Sequence, residues 1–280
     1  MNKVTSISAM KAAAAALRAS GRRVALLPTL GALHAGHASL IRIARESGAA
    51  VVVSAFVNPL QFGASEDYAK YPRTPEADAM LAEKEGVELL FTPTADEMFP
   101  KGFSSLLQED AISKPLCGVT RPALFRGALT CWLKLMNIVQ PDAIVLGERD
   151  AQLLAVFKKT AADLLLPVEI LTGPTVRDAD GMVVSARNAY LTPSQREEAL
   201  AVVRALRKAK EMVDSGVKST DRIVAEATHI ITAKRRLRVI YIAVVDQRTM
   251  EPMREINSGQ CLMAVSYWVD EVRLTDNMPL

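Results

Sequence analysis

The stretch Val24-Ala-Leu-Leu-Pro-Thr-Leu-Gly-Ala-Leu-His-Ala-Gly-His-Ala-Ser-Leu-Ile-Arg-Ile-Ala-Arg45 decides the fold. It opens as an apolar run, Val24 to Leu27, which Pro28 and Gly31 break. His34 and His37 follow, with Gly36 between them. From there Leu40, Ile41 and Ala44 recur at helical spacing. The order strand, glycine-bearing turn, helix predicts a parallel α/β unit. Its ligand site should lie beyond the carboxyl end of the strand, facing a helix N-terminus. The unpaired N–H groups of a helix's first turn favour an anion, and Gly36 would let backbone and ligand approach closely. Two histidines at such a turn suit phosphate chemistry, because neutral rings donate hydrogen bonds and imidazolium adds charge. A metal site would need a third ligand, and no cluster of His or Cys offers one.

On either side of this unit the pattern repeats. Residues 9–20 read as a helix ended by Gly21, and 22–27 as the first central strand. Ala49 to Val57 is a continuous β-branched run, as expected of a strand covered on both faces. It leaves Asn58 and Gln61 at its carboxyl end. A polar loop, 67–74, leads into a helix opened by Thr74-Pro75, then a strand at 87–91. Residues 92–122 read as irregular. A helix at 127–139, a strand at 142–147, a helix at 151–164 and a strand at 167–171 follow, with Glu148-Arg-Asp150 closing the fourth strand. This alternation predicts an α/β fold, a Rossmann-like doubly wound parallel sheet, over residues 1–175. Its strand ends should bring His34/His37, Asn58/Gln61 and Glu148/Arg149/Asp150 to one crevice.

After Gly173-Pro174 the character changes. Residues 176–190 form a hairpin-like loop around Asp180-Gly181, and Ser185, Arg187 and Asn188 bring hydroxyl, guanidinium and amide groups suited to phosphate close together. Helices at 192–213 and 220–233 and strands at 238–246 and 261–269 predict a smaller α+β domain, 176–280. The net charge of +3, with mixed signs, argues against a nucleic-acid or membrane partner. The short basic run Lys234 to Arg238 reads as a solvated face. Cys117, Cys131 and Cys261 read as reduced thiols of a cytoplasmic protein. The N-terminus shows no apolar segment behind a basic start, and no stretch reaches membrane-spanning length.

Five segments, in order, resemble one family over the whole chain: Pro28 to His37, Phe56 to Phe62, Tyr71 to Thr74, Gly147 to Asp150 and Asp180 to Asn188. Together they are similar to the pantothenate synthetases (pantoate–β-alanine ligases), relatives of the nucleotidyltransferases that carry an HxGH phosphate motif. The resemblance implies an AMP-forming amide ligase using ATP and Mg2+, with a carboxylic acid and an amine as small-molecule substrates. Pantoate would attack the α-phosphate, and β-alanine would then attack the acyl-adenylate. It implies that His37, His34 and Arg149 are catalytic. The ATP contacts would be Leu30, Gly31, Ala32, Leu33, His34, Ala35, Gly36 and His37, then Gly147, Glu148, Arg149 and Asp150, then Val176, Val184, Ser185, Ala186 and Arg187. Gln61, Asn58 and Leu153 would line the acid site. No protein-held metal is implied. The second domain would close over the nucleotide, and the protein would be a homodimer built through the first.

The chain departs from the family pattern at named places. Leu30 stands for the usual Met, Arg149 for Lys, Leu153 for Gln, Leu124 for His, Cys117 for Glu and Ala186 for Ser. Arginine keeps the charge but replaces a point donor by a planar fork. Leu153 and Leu124 remove polar partners from the acid pocket. Three readings follow. One is a ligase for pantoate with a compensated site. The second is a relative adenylating a different, more apolar acid. The third is a weakly active or inactive nucleotide-binding paralogue.

Overall fold

The computed structural model describes residues 1–64, 66–257 and 259–280. A parallel sheet takes up the first part of the chain: β1 (Asn2–Val4), β2 (Val24–Thr29), β3 (Ala50–Ala55), β4 (Leu89–Phe91), β5 (Ala143–Gly147) and β6 (Glu169–Gly173). The spatial order is β1-β4-β3-β2-β5-β6. The helices between them are α1 (Ile7–Ala19), α2 (Ala35–Glu46), α3 (Pro75–Lys84), α4 (Ala95–Met98), α5 (Cys117–Thr120), α6 (Pro122–Val139) and α7 (Ala151–Asp163).

The run Val24 to Leu27 is fully apolar because both faces of β2 are covered. Val24 and Leu26 pack with Met10 of α1, Leu129 of α6 and Phe157 of α7. Ala25 and Leu27 pack with Ile41 of α2 and Ala82 of α3. The chain winds outward from β2 to β3 and β4, then returns to place β5 on the other side of β2. The carboxyl ends of β2 and β5 therefore flank a topological switch point, where open parallel sheets leave a crevice.

The second part builds an antiparallel sheet, β7 (Leu237–Asp246), β8 (Cys261–Val269) and β9 (Val272–Pro279), under α8 (Pro193–Asp214) and α9 (Thr220–Thr232). Central β8 is buried on both faces. Met263, Val265 and Tyr267 pack with Val202 and Leu206 of α8 and Ile223 of α9. Leu262 joins Val245 and Met250 in the core of the parallel sheet. One face of the small sheet thus becomes a wall of the crevice.

The expected doubly wound sheet is present with one strand more than the sequence pattern showed. β1 is three residues long and β9 mixes polar and apolar residues, so neither carries a periodicity to read. β6 sits two residues later than expected. α6 starts at Pro122 rather than 127, since proline at the first helical position forgoes an N–H that has no intrahelical partner. The span read as irregular holds α4 and α5.

Candidate active site

α2 begins with an unusual cap. The Gly36 N–H donates to Nδ1 of His34 at 3.2 Å, and the His34 N–H donates to Nδ1 of His37 at 3.2 Å. The two rings thus form a capping box, a reciprocal pair in which each satisfies a backbone donor of the first turn. Both Nδ1 atoms accept, so each neutral ring carries its proton on Nε2. The rings stack with centroids 4.0 Å apart. Burial, and then the Arg149 charge, lowers the His34 pKa to about 4. Burial, then His34 and Arg149, holds His37 well below its ordinary value. Burial favours the neutral form of both rings, in which they offer two Nε2–H donors to a ligand. Gly36 also makes room for the cap, since a Cβ there would lie 3.1 Å from the His34 ring, and it lines the switch-point cavity.

The turn before α2 offers no free backbone donors at 31–33. The Gly31 N–H donates to Oγ1 of Thr29 at 3.1 Å. The N–H groups of Ala32 and Leu33 donate to the Asp78 carboxylate at 3.0 and 2.7 Å, and Thr74 Oγ1 donates to it at 2.9 Å. Gly31, Ala32, Leu33 and Ala35 consequently stand outside the cavity lining, while Leu30 is part of it. Asp78, buried on α3, is a residue that sequence reasoning missed. The available signal was an Asp four residues after a Thr-Pro helix start, aimed back at the turn.

Two cavities meet at the histidines. One, of about 120 Å3, lies at the switch point, against Leu27, Val145, Gly147, Val176 and Val184. The other, of about 220 Å3, lies between the two sheets. His34, His37, Arg149, Asp150 and Leu153 line both. Arg149 is held by Asp150, to which Nη1 donates at 2.9 Å, and by Ser185, to which Nη2 donates at 3.2 Å. Its Nε is buried with no partner among the described residues. Ser185 in turn accepts from the Arg187 N–H at 3.3 Å. Arg187 forks onto Asp67, donating to both carboxylate oxygens at 3.1 and 2.9 Å, and lies over the Tyr71 ring. Ala186 lines the larger cavity, and Glu148 lines neither. Asn277 fixes the second sheet to this corner by donating to the carbonyls of Glu148 and Arg149 at 3.2 and 2.7 Å.

At the far end of the larger cavity the polar groups divide sharply. Gln61, in the single turn Pro59–Gln61 after β3, is 6% exposed, and its amide has no side-chain partner among the described residues. Gly127 of α6 allows this turn to seat, since a Cβ there would fall 2.1 Å from the Leu60 carbonyl oxygen. Asn58 was expected to contact substrate and does not line the cavity. Its side chain donates to the Gly127 carbonyl at 2.9 Å and accepts from the Leu60 N–H at 3.1 Å, which anchors the turn that carries Gln61. Gln152 is also committed: it donates to the Ile112 and Pro115 carbonyls and accepts from the Cys117 N–H. Leu124 and Leu153 line the chamber, with Met250, Leu262 and Ala264 contributed from the second sheet. Cys117 Sγ lies 3.1 Å from the Tyr241 hydroxyl, whose pKa is driven up by burial and by that thiol. The second-sheet residues escaped the sequence reading because a buried strand residue carries no local mark of which cavity it will face.

A parallel sheet with a switch-point crevice, lined by paired imidazoles and guanidinium groups and walled by a small antiparallel sheet, defines an open α/β protein of two sheets. The chain belongs to the pantoate-beta-alanine ligase family, whose profile matches residues 2–279. It is 44% identical over 278 residues to the pantothenate synthetase of Heliobacterium modesticaldum, covering 99% of each chain. It is 42% identical over 280 residues to that of Moorella thermoacetica, covering all of this chain and 99% of the other. The crystal structure of the Thermus thermophilus pantothenate synthetase superposes with a TM-score of 0.94 at 36% identity over 99% of each chain. That of the Francisella tularensis pantoate-beta-alanine ligase, complexed with beta-gamma ATP and beta-alanine, gives 0.84 at 29% identity, over 100% of this chain and 97% of that one.

Proposed function

We propose that this chain is an ATP-dependent, AMP-forming ligase that condenses pantoate with β-alanine through an acyl-adenylate. The observation that carries the reading is the meeting of two cavities at one polar junction of His34, His37 and Arg149. A nucleotide in the switch-point cavity and an acid in the chamber would bring the α-phosphate and the carboxylate together there. The acid's carboxylate oxygen attacks the α-phosphorus and pyrophosphate leaves. The amine of β-alanine then attacks the acyl carbon, AMP leaves, and the nitrogen loses a proton.

In that sequence the Nε2–H groups of His34 and His37 donate to phosphate oxygens where negative charge gathers. Fixed dipoles in a dry site stabilise such charge strongly. Arg149 supplies the full positive charge, with its unpaired buried Nε as an available donor. Ser185 and Arg187 reach the same region from the second part of the chain, and Leu30, Gly36, Gly147, Val176 and Val184 shape its walls. Gln61 holds the acid. Met250, Leu262 and Ala264 keep water from the acyl-adenylate, which water would otherwise hydrolyse. The donors that fit Mg2+ are the phosphate oxygens of the nucleotide and water, with the half-exposed Asp150 at the rim. Held there, Mg2+ would supply charge neutralisation for the pyrophosphate leaving group.

The boundary between the two units is placed at 175/176, after the last parallel strand. Three free thiols support a cytoplasmic location. None of the helices, among the described residues, is long and apolar enough to cross a membrane. A homodimer is proposed on family membership, and light scattering of the purified chain tests it. AMP formation from Mg-ATP with D-pantoate and β-alanine tests the activity. Pantoate-dependent exchange of labelled pyrophosphate into ATP supports the adenylate step. Tight ATP binding without exchange for any acid would instead indicate a nucleotide-binding paralogue.

A further inference from the structure

The larger chamber adjoins a third cavity, a cleft of about 920 Å3 between the two sheets. Arg121, Arg149, Asp150, Arg187 and Thr275 line both, so these side chains form the neck between them. Three cations of the cleft are paired: Arg149 with Asp150, Arg187 with Asp67 and Arg121 with Glu66. Arg273 has no carboxylate within ion-pair distance among the described residues. It lies on β9, two residues before Thr275 and four before Asn277, hence on the same face of the strand. That face is turned to the site, since Thr275 lines the chamber and Asn277 bonds the turn after β5. Arg273 Nη2 donates to Thr120 Oγ1, at the end of α5, at 2.7 Å, and its Nε is buried with no partner among the described residues. Burial, and then the Arg121 charge, lowers its pKa, while the Glu66 charge opposes the shift. Arg121 and Arg273 thus share the one carboxylate of Glu66, which leaves an excess positive charge partly withdrawn from water. Lys70 and Glu271, the remaining charged groups of the cleft, are exposed.

We propose that Arg273, beside Arg121, binds the carboxylate of the amine substrate, and that this contact selects an amino acid over a plain amine. The proposal rests on the ligase reading above. β-Alanine carries a carboxylate, ionised at neutral pH, at the end opposite its nitrogen. The nitrogen has to reach the acyl carbon at the histidine junction, so the carboxylate trails toward the neck. A cationic neck attracts that end and repels an ammonium, which sets the direction of entry. Guanidinium suits the task because its fork meets a carboxylate through two parallel hydrogen bonds. Held there, the amine is oriented for attack. The contact serves the second step alone, since acid and nucleotide react before the amine is needed.

The test compares β-alanine with β-alaninamide, in which a neutral amide replaces the carboxylate, as amines for AMP formation. With the parent protein, kcat/KM for the amide should lie about tenfold or more below that for β-alanine, the loss expected of charge-assisted hydrogen bonds. Arg273→Met should raise the KM for β-alanine by about tenfold or more and leave β-alaninamide within about twofold. Arg273→Lys, which keeps the charge and loses the fork, should fall between. Pantoate-dependent exchange of labelled pyrophosphate into ATP needs no amine, and in Arg273→Met it should keep the parent's KM for ATP. Equal use of the two amines by the parent would overturn the proposal and leave the ligase reading intact. So would loss of both amines by the same factor in Arg273→Met, the mark of a structural role. A raised KM for ATP in the exchange would assign Arg273 to the phosphates instead. A parent with neither exchange nor AMP formation removes both readings.

Discussion

His37 does two jobs, and they can be separated. Glutamine at the third helical position can still accept the His34 N–H, as it does in ordinary capping boxes, but it does not reproduce the Nε2–H geometry. His37→Gln should keep its melting temperature within a few degrees while AMP formation falls by about 10²-fold or more. A parallel loss of both would make the ring a cap and nothing else. Arg149 makes a similar distinction between charge and shape. Its fork binds Asp150 and Ser185, and Nε remains free. Arg149→Met should lose about 10²-fold in kcat, whereas Arg149→Lys should retain most of kcat and raise the KM for ATP through the lost Ser185 contact. Equal loss in both variants would mean that the fork, not the charge, is what the nucleotide requires.

At the scale of elements, α2 ties stability to pH through its own cap. His34 has a folded-state pKa of about 4, below the unfolded value of 6.5. The unfolded chain therefore takes up a proton between these values that the folded chain refuses. The His34 contribution is complete above about pH 6.5 and is lost as pH falls toward 4. Asn is a good N-cap without that titration. His34→Asn should match the parent in urea unfolding at pH 8 and lose less stability by pH 5; identical slopes for the two proteins would contradict the assignment. Gly127→Ala should act through the turn at Pro59–Gln61, because a Cβ at 2.1 Å from the Leu60 carbonyl forces that turn away. The expected cost is about 1–3 kcal/mol, with a rise in the KM for the acid, measured by urea titration and initial rates. What could be read in advance also divides by element. β2, β3 and β5 were legible as unbroken apolar runs, and α2 and α8 as periodic helices with clear starts. β9, Val-Arg-Leu-Thr-Asp-Asn-Met-Pro, has no such pattern because Asp276 and Asn277 are buried for their polar bonds, not for packing.

For the whole molecule, polar contacts at the site itself add to the apolar packing of Val245, Met250 and Leu262 in joining the two parts of the chain. Arg187 pairs with Asp67, the Tyr190 hydroxyl donates to the Lys70 carbonyl at 2.6 Å, and Asn277 reaches the turn after β5. Asp67→Asn should lower the melting temperature of the free protein and enlarge the increment given by ATP, since Arg187 would no longer have to leave a carboxylate to meet a phosphate. A smaller increment in thermal-shift titrations would place Arg187 outside the nucleotide's reach. These long-range pairs were the least legible part of the site. The histidines, Gln61, Arg149 and Arg187 stand out locally, but Ser185, which helps to hold Arg149, lies 36 positions away and Asp67, which fixes Arg187, lies 120 positions away. Asp78 has the widest consequence. By occupying the N–H groups of Ala32 and Leu33, it takes two main-chain donors out of play beside the imidazoles, whose side chains single codon changes can exchange. A cradle of main-chain amides cannot be edited that way. This architecture is therefore unusually open to evolutionary retuning: substrate range and phosphate affinity can drift residue by residue while the scaffold beneath them stays fixed.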